Sequence, residues 1–560
     1  MPSTMERPGS GLKLGVVSST GSLTVLLIVG ACIAYIVSSY LKASSRPYSK
    51  LPLPPGPPRL PLLGNLFNNP FHFRWLSHLQ WRYTYGPLVY MKVLGRSVII
   101  LTTNEAAHEL LNKRAPTYSG RPYSVIGGEL LAKGYSMIFR QYDARFRLQQ
   151  RLHVHGLNAQ AVGLYQPITE LETLQFLHDI IQETKVSPKE AATLPDGDTR
   201  PIKPHRHFLR WFASNVSVIM YGYRLFKDDP ESEVQLNFFH ECPTSRIIET
   251  PTLVDIFPSL KHVPYFFSPW KRRVKPLFER EAAHHISNFR KALVQPGYNI
   301  SKLVANRAQH LDPNMTEAEA AWAPATLMLA AGETSPAILC WFVLAMVAYP
   351  RVMHKAQAML DEVVGHERLP TYADRAQLPF IDAVMDEVFR WRPIVPAGID
   401  HVATEEDEYM GYRIPKDSMI TISMWALHRD QAVFGPDCDD FRPERWLEKE
   451  GLPNYTFGFG RRTCPGRHIG REGLWIMMAR MLWAFEMEAP IDPATGKKKF
   501  VDNMDMQPVG IAIPPTPFDV LFRRRGKWVE EVVERDFAGA DFDMSKIMEQ
   551  IGLGSSKLAV

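Results

Sequence analysis

Phe457-Gly458-Phe459-Gly460-Arg461-Arg462-Thr463-Cys464-Pro465-Gly466-Arg467 sets a single thiol among three glycines and three arginines. Glycines permit backbone conformations and close approaches that side chains forbid, and Pro465-Gly466 turns the chain. The stretch GREGLWIMMARMLWAF from Gly470 has helical spacing, so Cys464 is expected in a tight loop ahead of a helix. A sulfur so placed is favoured as a thiolate by the helix N-terminal dipole, by Arg462 and Arg467, and by loop amides. An inert buried cysteine is the ordinary reading for Cys242, Cys340 and Cys438, but it leaves the arginines and glycines around Cys464 unexplained. Structural zinc is disfavoured because no Cys-x-x-Cys occurs.

A second constellation lies in Leu327 to Pro350, LMLAAGETSPAILCWFVLAMVAYP, which is apolar on all sides. Such a segment is a membrane span or the central helix of a large protein. Glu333 favours the second reading, since a carboxylate in mid-bilayer is costly. Pro336 has no N–H for the Gly332 carbonyl, so the helical ladder should open beside Glu333 and Thr334 and form a polar notch. A third group is Glu387-Val388-Phe389-Arg390 with Phe441-Arg442-Pro443-Glu444-Arg445-Trp446. An acid and a base three apart are most often a solvated helical pair.

The elements that position these residues are mainly helical, with β-branched runs such as Leu88 to Leu101 suggesting a hairpin. The chain of 560 residues is 45% hydrophobic and 22% charged, the composition of a large packed interior rather than a disordered or fibrous protein. A net charge of +5 speaks against nucleic acid as a partner, and five widely spaced cysteines speak for a reducing compartment. Between Lys13 and Lys42 lie 28 uncharged residues, enough to cross a bilayer core of about 30 Å. Basic residues cluster after this segment, which puts the body on the cytosolic side and keeps the Asn215 and Asn454 sequons from glycosylation. The organisation expected is a lumenal segment 1–13, a transmembrane anchor 14–41, a Pro-rich hinge 42–64 acting as a stiff spacer, a body 65–525 and an extension 526–560 of unknown role. Lys185 to His205 reads as a surface loop. Tyr265, Phe266, Phe267 and Trp270 beside Lys271, Arg272 and Arg273 suit either a second membrane contact or a helix-joining loop with buried rings.

The cysteine loop resembles that of the cytochrome P450 haem-thiolate monooxygenases. Phe457, Gly460, Arg462, Cys464 and Gly466 fit the Phe-x-x-Gly-x-Arg-x-Cys-x-Gly signature of that family. The resemblance implies a mainly α fold with small β-sheets and a haem b (iron protoporphyrin IX) held by Cys464 as axial ligand, with the signature residues around the cofactor. It further implies that Arg462 pairs with a haem propionate, that Thr334 hydrogen-bonds dioxygen and that Glu333 relays protons. Ala331 stands where the family usually has glycine. Glu387, Arg390 and Arg445 would form a buried structural triad. Tyr142 to Arg151 resembles the family's Trp-x-x-x-Arg helix, but Phe146 and Gln150 occupy the two key positions, so Arg145, Arg147 or Arg151 would have to meet a propionate. His401 is either another propionate contact or a solvated histidine.

The matches run in the family's order from Pro54 to about Arg525, and the wording is most similar to fungal microsomal enzymes of secondary metabolism. The expected protein is anchored in the endoplasmic reticulum membrane, takes electrons from NADPH through a separate NADPH–cytochrome P450 reductase, and oxidises a hydrophobic small molecule. Val125 to Met137, Ala330, Ala331, Ile394, Val395 and Ile399 would line its pocket. A haem-thiolate isomerase or dehydratase, or a haem-binding sensor, would keep Cys464 but would need neither Glu333 nor Thr334.

Overall fold

The apolar run that begins at Leu327 forms the middle of one 32-residue helix, Glu317–Ala348, capped by the Thr316 hydroxyl, which accepts from the Glu319 amide at 3.2 Å. The structure, a computed structural model, describes residues 51–68, 73–192, 194, 198–241, 252–502, 504–507 and 511–558. The expected anchor 14–41 lies outside them. Glu317–Ala348 is apolar enough to span a bilayer, yet 78% of its apolar window is buried among other helices, which makes it the core of the domain. It stays one helix through Pro324 and Pro336.

Helices Gln166–Thr184, Pro204–Tyr221, Pro269–Val294, Pro379–Trp391 and Arg467–Ala484 pack around this central helix or on its neighbours. Their shared interior buries Trp211, Trp341, Trp391, Trp475 and Trp483 almost completely. Trp341 also donates from Nε1 to the Ile513 carbonyl at 2.9 Å, so even this large side chain leaves no polar atom unanswered.

Strands β1 (Leu88–Val93), β2 (Arg96–Leu101), β3 (His401–Val402), β4 (Asp407–Tyr409), β5 (Tyr412–Ile414), β6 (Met419–Ile422), β7 (Phe485–Glu488) and β8 (Leu521–Arg524) form one four-stranded and two two-stranded sheets. The β1–β2 hairpin expected from the β-branched run is present, and β2 runs parallel to β6, which pairs in turn with β3. This ladder places His401 opposite Ile420.

Two sequence expectations change. The described part of the Pro-rich hinge is no free spacer: the Tyr90 amide donates to the Pro55 carbonyl at 2.8 Å, the Arg413 amide to Pro52 at 2.9 Å, and Asn65 Nδ2 to Pro57 at 3.0 Å. Proline carbonyls remain acceptors although the ring nitrogens cannot donate, so this segment docks on the sheet. The 185–205 region is also not simply a loop, since it contains a short helix, Pro188–Ala191, and a bridge between Lys185 and Thr199. Beyond β8, helices Lys527–Gly539 and Met544–Leu558 fold back on the domain and bury Val529, Val532, Val533, Met544, Met548 and Ile551. Of the two sequons, Asn215 is fully buried and Asn454 donates to Asp386 at 2.8 Å.

Candidate functional site

Cys464 lies three residues ahead of helix Arg467–Ala484, whose N-cap is Gly466. Its amide donates to the Phe457 carbonyl at 2.8 Å, closing the loop, and the Phe457 ring stands edge-on to Phe389 at 5.7 Å. Gly458 and Gly460 have φ of +80° and +49°, in the region that disfavours side chains. At Gly460 a Cβ would also run into the Leu111 carbonyl, so the loop can approach helix His108–Lys113 only with glycine there. Asn112 Oδ1 fixes that approach by accepting from the Gly460 amide at 2.8 Å. Gly466 has an ordinary φ of −85°, and a Cβ there would stand 3.9 Å from the Cys464 sulfur.

The electrostatics of the sulfur differ from expectation. Burial pushes the Cys464 thiol above its ordinary value, against the pull of the Gly466 amide and the Arg467 charge. Arg462 does not serve the sulfur. Its Nε donates to the Ser119 carbonyl at 2.9 Å and its Nη2 to the Arg140 carbonyl at 2.7 Å. In the protein alone the thiol is therefore favoured, and holding it as a thiolate requires a cation such as a metal at the sulfur.

Arg462 instead belongs to a buried basic group with Arg121 and His401. Arg121 is 8% exposed and His401 4% exposed, which removes the solvated reading of the histidine. His401 Nδ1 lies 2.7 Å from the Tyr118 carbonyl, and Arg121 Nη1 donates to the Asp400 carbonyl at 2.8 Å. Burial and then the Arg462 charge push Arg121 down to about 9, and burial lowers Arg462 to about 10. Burial, followed by Arg121, holds His401 well below the usual imidazole range. Asp400 and Asp143 offset some of this charge, but their carboxylates also accept from Thr421 and from Arg140 and the Phe146 amide. Arg121 Nε is buried with no hydrogen-bond partner. A buried donor without an acceptor, inside a group whose charges repel, fits a bound anion, and haem carboxylates are anions of this kind. Arg121 was missed in the sequence because Ser119-Gly120-Arg121-Pro122 carries no spacing that a period or a metal-ligand rule detects.

The substitutes proposed from the Tyr142 to Arg151 stretch are placed elsewhere. Arg151 is exposed on helix Ala144–Leu157. Arg145 is engaged by Asp312 and by Glu319, to which its Nε donates at 2.6 Å. Arg147 is exposed beside the Tyr142 ring. Phe146 does reach the site, lying under the Arg462 guanidinium.

Within the central helix, Ala330 is exposed, and Leu329, Ala331, Glu333 and Thr334 are partly so. Ala330 thus presents accessible surface in the middle of the core helix. The Thr334 hydroxyl donates to the Ala330 carbonyl at 3.0 Å. Of the expected lining, Val125, Ile126 and Leu131 are buried against Val254 and Val274, whereas Ile399 keeps accessible surface.

The triad forms as the resemblance implied. The buried Glu387 accepts from Arg390 Nη2 at 2.7 Å and Nε at 2.9 Å, from Arg445 Nε at 3.1 Å, from Trp446 Nε1 at 2.9 Å and from the Arg442 amide at 2.8 Å. A separate pocket of about 330 Å³, lined by Asn104, His108 and Tyr409 among others, includes neither Cys464 nor the notch.

The family model described as Cytochrome P450 matches residues 54–522. Cytochrome P450 monooxygenase aneD of Aspergillus aculeatus is 33% identical over 513 residues, covering 90% of this chain and 94% of that protein. Cytochrome P450 monooxygenase 58 of Postia placenta is 32% identical, covering 91% and 95%. Cytochrome P450 monooxygenase FrzL of Cladobotryum sp is 31% identical, covering 94% and 98%.

Proposed function

Because this chain belongs to the cytochrome P450 family and is a haem-thiolate monooxygenase, we propose that it hydroxylates or otherwise oxidises an apolar small molecule in fungal secondary-metabolite biosynthesis. Its electrons come from NADPH through a separate NADPH–cytochrome P450 reductase, and it is anchored in the endoplasmic reticulum membrane by residues 14–41 with its body in the cytosol. Haem bound through the Cys464 thiolate supplies the activation of dioxygen.

The chain's own residues hold the cofactor and the protons. The closed loop from Phe457 to Gly466 fixes the sulfur, with the Gly466 amide stabilising its negative charge. Arg121, Arg462 and His401 would hold the haem carboxylates, and the unpaired Arg121 Nε is the observation that carries this assignment. Thr334 holds a proton on its hydroxyl at the exposed notch, and Glu333, next to it in the chain, replenishes that proton from solvent. The apolar surface of Leu329, Ala330 and Ala331 receives the substrate and excludes water.

Exposed rings support a second membrane contact. Tyr265, Phe266 and Phe267 are 51%, 76% and 68% exposed, while Trp270 packs against Val254 and Val274. Leu62 and Phe67, 73% and 74% exposed, and Leu253, 67% exposed, add to the apolar surface available to a lipid face.

The test is a carbon monoxide difference spectrum of the reduced protein. Thiolate ligation gives a strongly red-shifted Soret band that Cys464→Ser should abolish, and NADPH should be consumed only when the reductase is added. A wild-type protein that takes up haem without the red-shifted band would refute the reading.

A further inference from the structure

We propose that Asp255 is a latch that holds together the two segments covering the substrate chamber, and that its hydrogen bonds set how fast bulky molecules reach the notch. The inference rests on the chamber proposed above. The covering segments are residues 123–139 and 252–294. Both reach the central helix at Trp322: the Tyr135 ring lies 5.6 Å from it and the Phe278 ring 5.9 Å, and the second segment is further joined to that helix by Arg290, which donates to Glu317 at 2.7 Å. Trp322 and Leu329 are seven residues apart, so they share a helix face, and that face leads into the exposed stretch at Ala330.

Away from the central helix the two segments share one buried carboxylate, Asp255, besides the more exposed Lys261–Glu129 pair. Asp255 Oδ1 accepts from the Val125 amide at 2.7 Å, the Ile126 amide at 3.1 Å and the Ser124 hydroxyl at 3.1 Å. Asp255 Oδ2 accepts from the Thr252 hydroxyl at 2.7 Å and amide at 3.2 Å. One buried group, 8% exposed, thus answers five donors from both segments. Val125 and Ile126 begin the π-helix Val125–Leu131, where the first amides have no partner inside the helix, so removing Asp255 leaves them unsatisfied.

The other contacts cannot set this geometry alone. Lys261 donates to Glu129 at 3.0 Å, but both side chains are well exposed to solvent and such pairs contribute little. Val125, Ile126 and Leu131 pack on Val254 and Val274, a non-directional contact that can slide. Asp255 is the buried directional tie, and breaking it frees the first segment to lift.

The experiment uses the full haem-loaded protein and Asp255→Asn. Asparagine offers one acceptor oxygen and two N–H donors, so it cannot accept on both sides at once. Amide exchange across 124–131 should accelerate about tenfold. Association of 4-phenylimidazole with the ferric protein should also quicken about tenfold, while cyanide association changes by less than about twofold. Ser124→Ala, a milder change, should move both readings in the same direction by a smaller factor. Unaltered exchange in Asp255→Asn, or equal acceleration of the large and small ligands, overturns the latch. If Asp255→Asn does not fold, Ser124→Ala decides, and no change there overturns it. Should the wild type fail to take up haem, the proposed function falls, and exchange in the haem-free chain still decides the latch.

Discussion

The guanidinium of Arg462 lies 4.1 Å from the centroid of the Phe146 ring while two of its nitrogens donate to the carbonyls of Ser119 and Arg140. The ring is 3% exposed and sits on a helix whose N-cap, Asp143, accepts from the Phe146 amide at 2.7 Å. Phenylalanine keeps the flat face that orients a cation but, unlike tryptophan, brings no N–H.

Phe146→Ala should remove that platform and let Arg462 sample other rotamers, so haem should transfer to apomyoglobin about tenfold faster. Phe146→Trp should retain haem at least as well as the wild type. Equal release rates for the wild type and the alanine variant would show that the stack does not position Arg462.

Arg121→Leu should weaken haem retention by about 10- to 100-fold, the loss of a charge-assisted hydrogen bond in a buried setting. Arg151→Leu should leave retention unchanged, because Arg151 is exposed on the outer side of its helix. The opposite ranking would return the propionate role to the helix that carries Arg151.

This contrast shows where sequence reading succeeds and where it stops. The cysteine loop was legible because its glycines answer local needs: a positive φ at Gly458 and Gly460, and the close approach of Gly460 to Leu111. The Glu387–Arg390–Arg445 group was legible through the resemblance of its segments to the family, whereas the Trp446 donor to Glu387 is set by tertiary packing. Arg121 and Asp255 were not legible. Their partners are backbone groups 278 and 130 residues away, at Ile399 and Val125, and no local period records which loops a fold will bring together. Arg462 was legible as a cation but its target was not, since its charge is directed at Ser119 and Arg140 by tertiary packing rather than by the adjacent sulfur.

Stability should fall as pH drops from about 7 toward 5. Burial pushes His78, His284 and His428 down to about 3 and His153 to about 4, against an ordinary value of 6.5. Below 6.5 the unfolded chain takes up protons that these folded imidazoles refuse, so the stability present above 6.5 is progressively lost as pH falls toward 3 to 4. Each histidine can remove up to about 1.4 kcal/mol per pH unit in that window. Urea midpoints followed by tryptophan fluorescence should decline steadily over this range, before most carboxylates titrate. A flat profile down to about pH 5 would mean that water or rearrangement satisfies the imidazolium forms.

The segment after β8 should prove structural, and Met548 is the residue that tests it. Its side chain is 1% exposed, and its carbonyl accepts from the Tyr298 amide at 3.1 Å. A Cβ added at Gly297 would lie 2.7 Å from the Met548 Cβ, so the helix Met544–Leu558 presses closely on that turn. Trp528 stacks on His366 at 4.2 Å and Phe537 on His178 at 3.8 Å, which fixes the preceding helix to two further elements. Met548→Ala should therefore destabilise the domain by about 2–5 kcal/mol, the range for emptying a buried site. Exposed Leu553→Ala, 70% exposed, should change stability by less than about 0.5 kcal/mol. Removing residues 526–560 should lower the unfolding midpoint more than Met548→Ala does, because it also deletes the buried Val529, Val532 and Val533 and uncovers the apolar surface they pack on. A truncated protein with an unchanged midpoint would mean that the tail rests on the domain without stabilising it.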